Sequence, residues 1–252
     1  MVANTSPVPQ TSADRVSAEH RPFPWPDRRT AVLAGVGLLL IAALGAFGYI
    51  GVVQGMVSDG DAAQTAADID DARGLFAAGV CALYVAALLD VLVAWALLRF
   101  FEPIAGSLAR LAAYLRIAYG AAFIIAISQL AGVQGILDSG AGTFSTEQVQ
   151  AQALARIETF HDVWFASLVL FGAHLAVLGV LILRSSAAPR LIGLLLVVAG
   201  IGYAFDTFHD VLRPETTLTV SSVTFLGEFL LAVWLVTRGG RTVIPDSSEA
   251  AR

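Results

Sequence analysis

Apolar residues along the chain gather into six long runs separated by short polar stretches, at approximately 30 to 55, 74 to 99, 109 to 133, 161 to 183, 190 to 206 and 218 to 237. Runs of about twenty apolar residues, without the alternation of a barrel strand, predict helices. A hydrocarbon layer of about 30 Å is crossed by roughly twenty helical residues, and only helices and closed barrels leave no backbone group unsatisfied there. The pattern therefore predicts an all-α, polytopic membrane protein, a six-transmembrane-helix bundle over residues 30–238. The fifth run is the weakest, because Asp206 cuts it short and Gly193, Gly200 and Gly202 lower its helix propensity. Asp61 to Arg73 and Ser145 to Phe160 are rich in Ala, Gln and acids, and Ser145 with Gln148 has capping-box spacing. Both stretches read as extensions of the second and fourth helices beyond the bilayer.

The flanks read differently. Residues 1–29 carry Pro22, Pro24 and Pro26 among polar residues and no apolar signal-peptide core, and residues 239–252 are short and polar. Both are expected to be disordered cytoplasmic tails. Composition agrees with the run pattern, since 57% hydrophobic against 14% charged residues leaves too few polar groups to cover a soluble globule. All fifteen basic residues are Arg, and the formal net charge is −5, which excludes a basic nucleic-acid surface. Eleven of the arginines flank the two termini and the second and fourth connections, whereas Arg73, Arg156 and Arg213 share the other side with twelve acids. An excess of Arg on one side marks the cytoplasmic face, so both termini are expected inside a bacterial inner membrane. Cys81 is the sole cysteine, and HExxH, GxxxxGK and GxSxG are absent, so the chain leans away from recognisable enzyme chemistry and names no cofactor.

The even-numbered helices end alike. The second reads LLDVLVAWALLR, the fourth GAHLAVLGVLILR and the sixth GEFLLAVWLVTR, each with one ionisable residue nine or ten positions before a closing Arg. GVVQGMVSDG and GVQGILDSG rhyme at the ends of the first and third helices. Two explanations fit: three repeated helical hairpins about an axis along the membrane normal, or convergence among apolar helices that draw on few residue types.

The spacing places Asp90, His174 and Glu228 roughly 14 to 15 Å from the cytoplasmic interface at about 1.5 Å per residue. Arg116 lies about a turn nearer that interface and Tyr119 at the layer itself. A charge near the bilayer centre costs at least about 2.5 to 3.5 kcal/mol, so these groups are expected to converge inside the bundle. One reading is a structural staple in which Arg116 bridges Asp90 and Glu228 while His174 bonds a carbonyl. The other starts from the formal −1 left by Asp90 and Glu228 against Arg116, which one proton or one cation balances, coupling occupancy to transport or sensing. A metal bound by Asp90, His174 and Glu228 is disfavoured by the neighbouring guanidinium.

A second cluster comes from the tripeptide Phe-His-Asp, which occurs at Phe160-His161-Asp162 and Phe208-His209-Asp210. With Asp206 nearby, His161, Asp162, His209 and Asp210 form a candidate metal or proton-access site at the outer face. The simpler explanation is helix-terminal acids with interfacial aromatics, the role also expected of Trp95, Trp164 and Trp234. Gly45, Gly48, Gly51, Gly200 and Gly202 are expected to serve close helix packing.

His161-Asp162, the run LVLFGAHLAVLGVLILR, Pro189-Arg190-Leu191-Ile192-Gly193, Arg116, and Gly227-Glu228 through Trp234 to Arg238-Gly239 together resemble an uncharacterised bacterial integral-membrane family, domain of unknown function 4386. The resemblance spans roughly residues 30 to 240 and implies six helices in a bacterial inner membrane, with no established activity. The functional expectation is therefore a small transport or sensing module with proton or cation coupling at the buried layer. The alternatives are a non-catalytic subunit bound to a protein partner, or a membrane-embedded metal-dependent enzyme.

Overall fold

The computed structural model describes residues 27–139, 144–185, 188–212 and 226–240, apart from the side chains of residues 139, 210 and 211. The expected tails, residues 1–26 and 241–252, and the start of the sixth expected run lie outside them. The regular elements among the described residues are all helices, with no strand among them. Helix α1 spans Arg28–Gly45 and runs on through a π-helical stretch, Ala46–Val53, and a last turn, Gln54–Met56. There follow α2 (Ala62–Asp71), α3 (Arg73–Ala131), α4 (Val133–Ser139), α5 (Thr146–Arg184), α6 (Arg190–Leu212) and α7 (Leu226–Thr237). Four helical stretches, Arg28–Met56, Arg73–Asp138, Thr146–Arg184 and Arg190–His209, are long and apolar enough to cross a membrane, which suggests a lipid bilayer environment. Leu88 (64% exposed), Ile125 (59%) and Ile201 (62%) point outward from the middle of their helices, as lipid-facing residues do.

The second and third expected helices fall within one long helical stretch that breaks at Ala105 (φ −152°, ψ 73°), two residues after Pro103. Proline has no N–H to give to the ladder and its ring clashes with the carbonyl four residues back, which makes the break local to this point. Beyond it the chain doubles back. A Cβ placed on Gly120 would lie 3.7 Å from Asp90 Cβ and 3.9 Å from the Ala87 carbonyl, so the arm before Ala105 and the arm after it pack antiparallel. Two boundaries differ from the sequence expectation. Helix α6 continues through Asp206 to Leu212, and α2 is a separate helix, set off from α3 by Ala72 (φ −127°, ψ 37°). Asp61 caps α2 by accepting from the Gln64 N–H at 2.9 Å. The extension expected from Ser145 is present, with the capping box between Ser145 and Gln148 starting α5.

The closest helix pair is α5 with α6. A Cβ on Gly172 would sit 2.6 Å from the Gly200 carbonyl oxygen, and one on Gly179 2.6 Å from that of Gly193. Thr207 Oγ1 donates to the Phe165 carbonyl at 3.3 Å in the same antiparallel register. Gly200 and Gly48 thus have the packing role expected of them, the latter against the Gly79 backbone, while Gly45 faces open space. At the opposite edge α1 pairs with α7, where Arg28 donates to the carbonyls of Leu235 and Gly239 at 2.8 and 3.0 Å and also to that of Val236. The guanidinium thereby occupies carbonyls that the last turn of α7 leaves without helical partners. Phe100 at the hinge meets Trp234 at 6.2 Å, which puts the hinge and the end of α7 at one end of the molecule.

Candidate functional site

Three of the five expected layer residues are bonded to one another. Asp90 and Arg116 sit on the two arms of α3, with Arg116 about one turn nearer the hinge, so folding back at Ala105 brings the guanidinium within reach of the carboxylate. Arg116 Nη2 donates to Asp90 Oδ1 at 2.5 Å, and both side chains are almost completely buried (1% and 2% exposed). Arg116 Nη1 lies 3.3 Å from His174 Nε2, and His174 Nδ1 lies 2.8 Å from the Ala112 carbonyl. A carbonyl only accepts, so Nδ1 carries the proton and Nε2 turns its lone pair to the guanidinium. The Phe171 ring lies 5.4 Å from the Arg116 carbon, adding a cation–π contact. Burial of the pair is thus matched by a charged partner, a hydrogen-bond acceptor and an aromatic face, with Arg116 Nε left without a protein partner.

Tyr119 and Glu228 complete the layer without joining that chain of bonds. Tyr119 OH accepts from Trp164 Nε1 at 3.1 Å, and its ring stands 4.8 Å from Phe171. Glu228 is half-buried in the first turn of α7 and makes no hydrogen bond or ion pair with a described residue. Arg116 therefore holds Asp90 and His174, and not Asp90 and Glu228 as the staple reading supposed. Glu228 instead lines a cavity of about 450 Å³ together with Asp90, Arg116 and Tyr119.

The rest of the lining is apolar, with the aromatic residues Tyr49, Phe123, Trp164, Phe171, Tyr203 and Phe229 among aliphatic ones. Trp164 is expected from sequence at the membrane interface, and Phe171 and Tyr203 carry no such expectation. A signal for the first two was present, because Phe160, Trp164, Ser167, Phe171 and His174 follow the three-and-four spacing of one helix face. The π-helical turn carrying Tyr49 left none, since it depends on backbone hydrogen-bond register and not on residue type.

At the outer end His161 and Asp162 lie on α5, and Asp206 and His209 on α6. The His161 ring packs edge-on against Tyr49 at 5.6 Å, and the His209 ring stacks on Phe205 at 5.7 Å. Asp162 is exposed, Asp206 is buried, and the Asp210 side chain lies outside the described residues. Among the described residues no three His, Cys, Asp or Glu side chains are grouped to hold a metal ion. Other charges at this end form exposed pairs, with Arg73 bonded to Asp138 at 2.6 Å and to Asp70 at 2.7 Å.

Comparison with known proteins places this geometry in a family. An uncharacterised protein of Archaeoglobus fulgidus is 29% identical over 164 residues, which cover 64% of this chain and 83% of the relative. No solved structure gives a significant match. The model of the family described as Domain of unknown function (DUF4386) matches residues 33–239, and the chain belongs to that family.

Proposed function

We propose that this chain is a small membrane module that transports or senses, with a proton or monovalent cation bound at the polar layer as the coupling species. The observation that carries the reading is Glu228, an acid without an ionic partner on the wall of the cavity that also holds the Asp90–Arg116 pair. Asp90 and Arg116 cancel, and one negative charge remains for a proton or cation to balance. The fold-back of α3 supports six membrane crossings: α1, the two arms of α3, α5, α6, and α7 with the residues before it. The arginine distribution supports cytoplasmic termini in an inner membrane. The shared position of Asp90, His174 and Glu228 before a terminal Arg favours descent from a repeated hairpin.

The test counts protons. Purified protein in nanodiscs is stepped through neutral pH, and proton uptake per chain is compared between wild type and Glu228→Gln. The expected result is one titrating proton fewer in the variant, with loss of pH-driven flux in proteoliposomes. Equal uptake and equal flux would remove Glu228 from the coupling role. A second reading draws on the pairing of Arg116 with both Asp90 and His174, which suits a packing element in a subunit of a larger assembly. Co-purification of a stoichiometric partner, with no flux from the chain alone, would favour it.

A further inference from the structure

The cavity's walls and its opening specify more than its charge. Its lining on α1 includes Ala42, Ala46 and Ile50, which are exposed, and its lining on α7 includes Phe229, also exposed. Ile50 (62%) and Phe229 (45%) lie within apolar helices and away from the charged ends, so the cavity opens sideways between α1 and α7. A side opening in a membrane protein faces acyl chains, not bulk water. The π-helical stretch Ala46–Val53 forms one lip of it, and such widened turns are frequent at functional sites.

A small inorganic cation suits these walls poorly. Divalent ions gather about six oxygen ligands, whereas Asp90 is taken up by Arg116 and no three acidic, His or Cys side chains are grouped among the described residues. An anion would meet a site of net negative charge. An organic cation meets both features, because its charge can pair with Glu228 and its apolar body can lie against Phe123, Trp164 and Tyr203. The volume, about 450 Å³, falls in the range of small-molecule sites.

We propose that the cavity binds a lipophilic, monovalent organic cation of the ammonium class, admitted from the bilayer between α1 and α7, with its charge on Glu228 and its body on the aromatic wall. This rests on the proposal that the polar layer binds a cation. The charged and titratable groups that line the cavity with Glu228 are Asp90, Arg116 and Tyr119 of α3, Tyr203 of α6, and Tyr49 of the π-helical stretch. A proton and the organic cation would compete for the one uncompensated charge, so affinity should fall as pH is lowered.

The full chain in nanodiscs is titrated with benzyltrimethylammonium, with its uncharged isostere neopentylbenzene as competitor. The expected result is saturable binding of one cation per chain, weak competition by the isostere, and loss of roughly tenfold to hundredfold affinity in Glu228→Gln. Glu102→Gln, at the exposed hinge, should bind like wild type. Gly45→Leu supplies an independent arm, since a Cβ at this cavity-lining position meets no heavy atom within 4 Å and the variant should fold. It narrows the cavity while keeping Glu228, and weaker binding is expected. Equal affinity in wild type and Glu228→Gln overturns the proposal, as does absence of saturable binding. Glu228-dependent proton uptake without cation binding would overturn this inference and leave the proton reading standing. Cation binding that survives Glu228→Gln alongside unchanged proton uptake would remove both.

Discussion

Substituting Asp90 by Leu strands a guanidinium. In the native protein the Arg116 charge is met by Asp90 at 2.5 Å and by the His174 lone pair at 3.3 Å, with both ends of the ion pair almost fully buried. Removing one member of a buried ion pair typically costs about 3 to 5 kcal/mol, while replacing both members by apolar groups is often neutral or stabilising. Here the lower end applies, about 3 kcal/mol, because the His174 bond and the Phe171 ring remain beside Arg116. That corresponds to roughly a hundredfold rise in the unfolding constant. The double variant Asp90→Leu/Arg116→Met should recover most of the loss, because it leaves neither charge buried alone. Reversible unfolding in mixed micelles of the four members of this double-mutant cycle gives the coupling directly. An Asp90→Leu cost below about 1 kcal/mol, or a double variant no more stable than the sum of the singles, would refute the claim that the pair is an isolated, desolvated unit.

Further variants probe other parts of the fold. Gly200→Leu puts a side chain where even a Cβ meets the Gly172 carbonyl, so the α5–α6 seam must open; a loss of about 1 to 3 kcal/mol is expected, read as lowered Tm in detergent, while Gly45→Ala should be tolerated. Arg28→Gln removes charged hydrogen bonds to Leu235, Val236 and Gly239, and should cost about 1 to 2 kcal/mol, seen as faster hydrogen exchange confined to the last turn of α7. Arg73→Ala breaks two short but exposed ion pairs and should leave Tm unchanged at physiological salt, since solvent and ions screen such pairs.

Which residues could be read from sequence, and which could not, follows from what each depends on. Asp90, Arg116 and His174 were legible because an ionisable group deep in an apolar run has few destinations, and all three are buried. Of Arg116's partners Asp90 was legible, as was the carbonyl partner of His174, but the exchange of Glu228 for His174 was not, because pairing depends on helix rotation and tilt, which hydropathy does not encode. Glu228 shares the sequence position of Asp90 within its helix end, yet α7 presents it to the cavity instead of to the guanidinium. The break between the second and third expected helices was visible as a gap near Pro103, but its geometry was not: the helix needs only one non-helical residue, Ala105, to reverse. The polarity of Asp206 predicts a helix end, yet the residue is buried within a helix that runs on to Leu212. The Gly172–Gly200 and Gly179–Gly193 contacts show the matching limit for glycines, since equal spacing on two helices becomes meaningful only when their register is known.

The doubling back of α3 has a consequence for biosynthesis. Asp90 and Arg116 are 26 residues apart in sequence, on the two arms of a single hairpin, so they emerge from the ribosome as neighbours and can neutralise each other while that hairpin enters the membrane. The costliest charges of the protein are therefore presented to the lipid already paired. Glu228 arrives roughly 110 residues after Arg116, about ten seconds later at ordinary translation rates. It inserts into a bundle whose ionic contacts are already made, and this order of synthesis leaves its carboxyl group to whatever the cavity admits.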